Sequence, residues 1–142
     1  MRQIKHIVIH CTATPQSTTV ESIKRYWSHV LRWRNPGYHI IIKPDGTMER
    51  LADDSQITNG VKGYNANSIH ISYIGGVDSN GKPVDNRTCS QEATMLTLIK
   101  IYKERYPDAE VLGHRDFPKV SKACPSFDVK AWLRLRDNSE NQ

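Results

Sequence analysis

Short β-branched runs alternate with segments of helical period along most of this chain, and that order restricts its fold more than any other feature. Ile4 to Ile9 is an Ile/Val run of the kind found in a buried strand. After a polar loop containing Pro15, Val20, Ile23, Trp27, Val30 and Leu31 share one side at helical spacing, which predicts a helix over 20–34. Asn35-Pro36-Gly37 should stop it. Tyr38 to Lys43 reads as a strand, Pro44-Asp45-Gly46 as a turn, and Thr47 to Leu51 as the return arm of a hairpin. Residues 52–67 lack periodicity and should form a long surface excursion. Ile69 to Ile74 is a further strand, Ser90 to Tyr106 a helix capped by Thr88 or Ser90, and Glu110 to Leu112 a short strand. A last helix, capped by Ser126, should carry Phe127, Val129, Trp132 and Leu133. Helices between strands need a sheet with covered faces, and the hairpin demands one antiparallel pair. The expectation is an α/β fold: a single domain over residues 1–136 with a mixed central sheet flanked by helices, and a frayed tail at 137–142.

The chain's 142 residues suit one domain with one core. A net charge of +5 favours anionic partners without choosing among them. The basic residues are dispersed among acidic ones, with no Arg-rich arm and no aromatic-plus-basic stripe, so nucleic acid is not the expected partner. No apolar run reaches the length of a bilayer span, so stable membrane insertion is not expected. His10 interrupts the short apolar stretch near the start, which argues against a signal peptide and for a chain that is cytoplasmic as synthesised. Three cysteines, Cys11, Cys89 and Cys124, cannot all pair, and a reduced state is the simpler expectation.

Borderline-soft ligands follow two of the strand-like runs. His10 ends the first, His114 follows the last, and Cys124 lies ten residues further on. If those strands are neighbours, two imidazoles and one thiolate meet with a fourth tetrahedral position open, the layout of a catalytic zinc site. The competing reading makes each histidine a surface or packing residue and Cys124 a buried thiol. The spacing alone does not decide between them.

An ordered set of short motifs does. Val8-Ile9-His10-Cys11-Thr12-Ala13-Thr14, Gly37-Tyr38-His39, Lys62-Gly63-Tyr64-Asn65, Ser68-Ile69, Gly75-Gly76, Gly113-His114-Arg115-Asp116 and Lys122-Ala123-Cys124-Pro125-Ser126-Phe127-Asp128 resemble the N-acetylmuramoyl-L-alanine amidases of the phage lysozyme type and, more distantly, peptidoglycan recognition proteins. The resemblance runs from about Ile4 to Leu133. It implies one zinc ion held by His10, His114 and Cys124, with Tyr38 and Lys122 as catalytic residues. It implies hydrolysis, by zinc-activated water, of the amide between the muramoyl lactyl group and L-alanine in bacterial peptidoglycan. Zinc would polarise the carbonyl, Lys122 would stabilise the oxyanion, and Tyr38 would orient water or relay a proton. The resemblance also places Tyr64 and Asn65 in the substrate cleft. It suggests a monomer that acts on the wall after release, with a separate membrane-disrupting protein controlling its exit. The alternative is a non-catalytic peptidoglycan-binding or protein-binding regulator of the same fold.

Other residues take plainer readings. Asp116 should accept a hydrogen bond from a ligand imidazole or from Arg115. His39 should point away from Tyr38 and be buried and hydrogen-bonded, and Cys11 should face away from His10 and pack. Trp33 could line a glycan groove. The chain departs from the family pattern twice: His70 stands where phage relatives usually have glycine, and Asn59-Gly60 stands where a histidine often precedes the Lys-Gly-Tyr-Asn stretch. Those departures would alter the cleft floor.

Overall fold

The structure is a computed structural model that describes residues 2–140. Five strands, β1 (His6–Cys11), β2 (Ile40–Ile42), β3 (Met48–Arg50), β4 (Ser68–Tyr73) and β5 (Glu110–Gly113), form one sheet in the order β3-β2-β4-β1-β5. β1 runs parallel to both β4 and β5, and β2 runs parallel to β4. The β2–β3 hairpin supplies the antiparallel pair. Helices α1 (Val20–Arg25), α2 (Cys89–Arg105) and α3 (Val129–Glu140) cover the sheet. The expected mixed α/β architecture is therefore present.

The two faces of the sheet differ in chemistry. Ile7, Ile9, Ile69, Ile71 and Tyr73 project to one face and pack against Met95, Leu98, Ile99 and Tyr102 of α2, with Phe127 and Val129 beside them. Side chains alternate along a strand, so the residues between these point the other way. Val8 pairs in register with His70, and His10 with Ser72. All four are buried on the second face. Two small apolar clusters flank this polar strip: Ile41 and Ile74 under Val20, Ile23 and Trp27, and Val8 with Val61, Leu112 and Phe117.

Several boundaries move for identifiable reasons. The first helix does not reach Arg34. Its α-helical part gives way to a wider turn at Tyr26–Val30, where the Leu31 amide donates five residues back to Tyr26 O at 3.0 Å. Arg32 then adopts a left-handed φ of 59°, and the Trp33 amide closes on Trp27 O at 2.9 Å. This is a helix C-terminal motif that spends the last carbonyls before the expected Asn35-Pro36-Gly37 stop. Gly37 serves packing instead: a Cβ there would lie 2.9 Å from the Trp27 ring.

α2 is capped by Thr88 through a reciprocal pair. The Gln91 amide donates to Thr88 Oγ1 at 3.0 Å, and the Thr88 amide donates to Gln91 Oε1 at 3.0 Å. The Gln91 Nε2 group then donates to Ile42 O and Ile74 O, tying the helix start to the ends of β2 and β4. At α3 the expectation of a Ser126 cap fails. Asp128 Oδ1 accepts the Ala131 amide at 3.0 Å, whereas Ser126 has a left-handed φ of 69° and donates its hydroxyl to Gly76 O at 2.8 Å. α3 continues to Glu140, past the expected end at Arg136; Asn141 and Gln142 of the expected frayed tail lie outside the described residues.

The excursion 52–67 is held from both sides. The Arg2 guanidinium donates to Asn65 O at 3.1 Å and Ser68 O at 2.9 Å. Asp54 accepts from Tyr102 Oη at 2.7 Å and from Arg50 at 3.1 Å. These contacts set the loop over the polar strip.

Candidate metal centre and cleft

Parallel pairing opens the C-terminal ends of β1 and β5 on one edge of the sheet. Ile9 pairs with Gly113, so the next residues, His10 and His114, emerge side by side, with ring centroids 4.9 Å apart. Gly113 allows the third segment to approach, because a Cβ there would sit 2.8 Å from Pro125 Cδ. The Arg115 amide donates to Cys124 O at 2.8 Å and fixes that segment beside the histidines. One ligand atom each from His10, His114 and Cys124 falls in a group whose members all lie within 4.8 Å of one another. Cys124 Sγ is 3.7 Å from His10 Nδ1. Tetrahedral zinc with ordinary Zn–N and Zn–S bonds separates such a pair by about 3.6 Å, so the donor set and its spacing fit that ion.

The surroundings prepare these groups as ligands. His10 is 1% exposed, and burial, followed by the neighbouring imidazoles, holds its pKa well below the ordinary value. Burial, then the Lys122 charge, brings His114 down to about 4. Both rings are thereby kept neutral, the form that binds metal. Cys124 is the opposite case: the adjacent Cys11 thiol, then burial, push its thiol well above the usual range. A metal ion must displace that proton. The Cys11 amide, 3.3 Å from Cys124 Sγ, is a donor ready for the resulting thiolate.

Tyr38 packs against His10 with ring centroids 5.0 Å apart, and its hydroxyl donates to Cys11 O at 3.3 Å. Burial, with the two cysteines adding to it, raises its pKa, so the hydroxyl keeps its proton. Lys122 is exposed on the wall of the same cleft. The cleft has a volume of about 1000 Å³, and Trp33, Asn59, Tyr64 and Val120 also line it. The structure thus brings His10, His114, Cys124, Tyr38 and Lys122 to one cleft.

Asp116 departs from its expected partners, while Tyr64 and Asn65 line the cleft as expected and make further contacts there. Asp116 meets neither imidazole nor Arg115; its Oδ2 accepts the Gly113 amide at 2.8 Å and caps the turn that carries His114. Tyr64 lies on the cleft but its ring is packed against Phe117 and His6, at 4.6 and 5.9 Å between centroids. Asn65 directs its side-chain oxygen inward, accepting the Gly60 amide at 3.1 Å, the Val61 amide at 2.8 Å and a contact with His70 Nε2 at 2.8 Å. His70 in turn lies 2.8 Å from His10 through its Nδ1. Sequence reasoning noted His70 only as a departure. The alternation Ser68-x-His70-x-Ser72, polar on one face of an otherwise apolar strand, was the available signal. His39 and Cys11 are where they were expected. His39 is fully buried and accepts the His70 amide at 3.0 Å, and Cys11 packs in the opposite core.

Comparison with known proteins agrees with this geometry. The endolysin of Escherichia phage T7 is 39% identical over 127 residues, covering 89% of this chain and 83% of that relative. The endolysin of Klebsiella phage KP32 is 36% identical over 132 residues, covering 92% and 86%. Among solved structures, the Ph2119 endolysin of a Thermus scotoductus bacteriophage superposes with a TM-score of 0.78 at 25% identity, covering 96% of this chain and 85% of that one. The recognition protein PGRP-SA of Apis mellifera shares the fold, with a TM-score of 0.77 at 22% identity over 94% and 83% of the two chains. Residues 1–127 match the sequence model of the N-acetylmuramoyl-L-alanine amidases. A match of that length, on a sheet whose strand ends gather the ligands the sequence singled out, makes the chain a member of the N-acetylmuramoyl-L-alanine amidase family.

Proposed function

We propose that the chain is a zinc-dependent endolysin that hydrolyses the amide between the muramoyl lactyl group and L-alanine in bacterial peptidoglycan. The observation that carries this reading is the convergence of His10, His114 and Cys124 at the floor of an open cleft that also holds Tyr38 and Lys122. When bound by those three ligands, zinc supplies Lewis-acid polarisation of a carbonyl and activation of water. The remaining chemistry belongs to the side chains. Tyr38 keeps its proton and sits against His10, so its hydroxyl can orient the attacking water or hand a proton toward the leaving amine. Lys122 places a cation on the cleft wall, where an oxyanion developing at the amide carbon is stabilised. Trp33 and Tyr64 offer aromatic surface to a glycan or stem peptide along the cleft. The inward-turned oxygen of Asn65 supports a role in shaping the cleft rather than contacting substrate through that atom.

The endolysin relatives support a lytic role, and the same reading has the chain act as a monomer once a separate membrane-disrupting protein opens the route to the wall. No helix among the described residues is long and apolar enough to cross a membrane. The test is to measure zinc in the purified protein and the release of new L-alanine amino termini from purified peptidoglycan, with and without chelator. Amine release that stops on chelation and returns with zinc is expected. Reducing-sugar release without new amino termini would identify a glycosidase instead. Zinc-free protein that binds peptidoglycan without cutting it would favour the recognition reading.

A further inference from the structure

We propose that His70 is the positioning residue of the metal centre: anchored by Asn65, it accepts a hydrogen bond from the His10 Nε2–H and so leaves His10 Nδ1 bare for the ion. Proton positions are fixed at the end of this chain of contacts farthest from the ligands. The Gly60 and Val61 amides both point at one side-chain atom of Asn65, at 3.1 and 2.8 Å. Backbone amides only donate, so that atom is the acceptor oxygen. His70 Nε2, 2.8 Å from the same oxygen, must therefore be the protonated nitrogen. A neutral imidazole with its proton on Nε2 accepts at Nδ1. His10 Nε2 lies 2.8 Å from that acceptor and must donate to it. The one lone pair left on His10 is on Nδ1, the atom 3.7 Å from Cys124 Sγ.

Two backbone amides thus dictate, through Asn65 and His70, which nitrogen of His10 faces the ligand trio. Metal-binding histidines usually hand their second N–H to a carboxylate or carbonyl. Here a second imidazole does that work, and His10 and His70 are both essentially inaccessible. Among the described residues no acidic side chain is a hydrogen-bonding partner of either ring, so no carboxylate charge has to be buried beside His10 and His70.

The arrangement also accounts for Gly60. A Cβ at that position would lie 2.3, 2.4 and 2.5 Å from His70 Nδ1, Cγ and Cε1, its three nearest neighbours. Gly60 has no positive φ to require a glycine. It is small because the His70 ring occupies the space its side chain would take.

This inference rests on His10 being a zinc ligand, and the experiment separates the two. Zinc affinity is measured by competition with a chromophoric chelator for the wild type and for His70→Ala, His70→Asn, Gly60→Ala and the Gly60→Ala/His70→Ala double variant, each checked for folding by circular dichroism. His70→Ala is expected to weaken zinc binding 10–100-fold. His70→Asn, whose amide oxygen can stand near the Nδ1 position, should recover most of that loss. Gly60→Ala should weaken binding by displacing the ring, yet add nothing in the double variant, because the ring it displaces is gone. In parallel, nitrogen-15 spectra of the metal-free wild type should show His10 as the Nε2–H tautomer, with a slowly exchanging ring proton. A His70→Ala affinity within twofold of wild type, a multiplicative loss in the double variant, or an Nδ1–H tautomer at His10 would overturn the proposal. A wild type that holds no zinc would remove the metal reading and this one with it.

Discussion

The two faces of the central sheet use the same strands for opposite purposes. On the α2 side, Ile7, Ile9, Ile69, Ile71 and Tyr73 meet Met95, Leu98, Ile99 and Tyr102 in a buried, apolar layer. On the other side the same strands present His10, His70 and Ser72, all buried, beneath a loop pinned by Arg2 and Asp54. Strand alternation makes this division of labour available: one face can be packed for stability while the other carries polar groups at half the strand positions. The face that holds the fold together can therefore be separated experimentally from the face that does chemistry.

The widest separation should come from paired variants. Cys124→Ala removes a ligand from the site face while deleting only a sulfur. Amine release from peptidoglycan should fall at least about 10³-fold, with zinc lost in parallel. The melting temperature of the chelator-treated protein should scarcely change. Met95→Ala acts on the other face, where the side chain is fully buried. It should cost about 2–5 kcal/mol of folding stability by denaturant titration, yet leave zinc affinity near wild type in the protein that remains folded. Loss of zinc in Met95→Ala, or unfolding of metal-free Cys124→Ala, would break the comparison.

The apolar face was the easier one to read from sequence. Met95, Leu98, Ile99 and Tyr102 recur at helical spacing, and the β-branched runs name their own strands, so the core of α2 against the sheet was legible. His10 and His114 were legible as strand-end residues with Cys124 ten residues further on, and the resemblance raised the three to a ligand set. The supporting shell was not. Asn65 resembles a turn or cleft residue because nothing local says that its oxygen receives two backbone amides and His70, five residues on. Asp116 follows His114 in sequence, but a 3₁₀ turn points its carboxylate back to Gly113. Both depend on loop conformation, which periodicity does not encode. The early end of the first helix has the same origin, since Arg32 enters the left-handed region with no glycine to announce it.

Acid should sharpen the contrast, because the site face is rich in histidines held neutral. Burial lowers His39 to about 4 and, with the Lys122 charge, His114 to about 4. His10 and His70 move in the same direction. Between these values and the unfolded value near 6.5 the unfolded chain binds more protons than the folded one, so stability rises with pH across that window. Metal-free protein should keep its full histidine contribution above about pH 6.5 and lose it progressively toward pH 4. His39 alone accounts for something on the order of 3 kcal/mol. Asp54, whose carboxyl sits below its ordinary 3.8 through Tyr102 and Arg50, acts only in the more acidic range. Urea titrations at half-unit pH intervals would locate the loss. A flat profile from pH 7 to 5 would mean that these imidazoles are not held neutral.

The smallest expected effect lies where the two faces are joined. Thr88 caps α2 and holds Gln91 in the reciprocal pair, and Gln91 then donates to Ile42 O and Ile74 O at the ends of two strands. Thr88→Ala removes the cap hydroxyl, which also donates to Pro44 O, and should cost about 1 kcal/mol. Gln91→Leu has similar bulk but leaves both buried carbonyls without their donor, so it should cost more, about 1–3 kcal/mol. If Gln91 acts only as part of the cap, the two substitutions will cost the same and the double variant will add nothing. If it also ties the helix to the sheet, Gln91→Leu will exceed Thr88→Ala and will speed hydrogen exchange at the amides that close the ends of β2 and β4. Neither change should alter zinc affinity, since the stitch lies on strands other than those that carry His10 and His114.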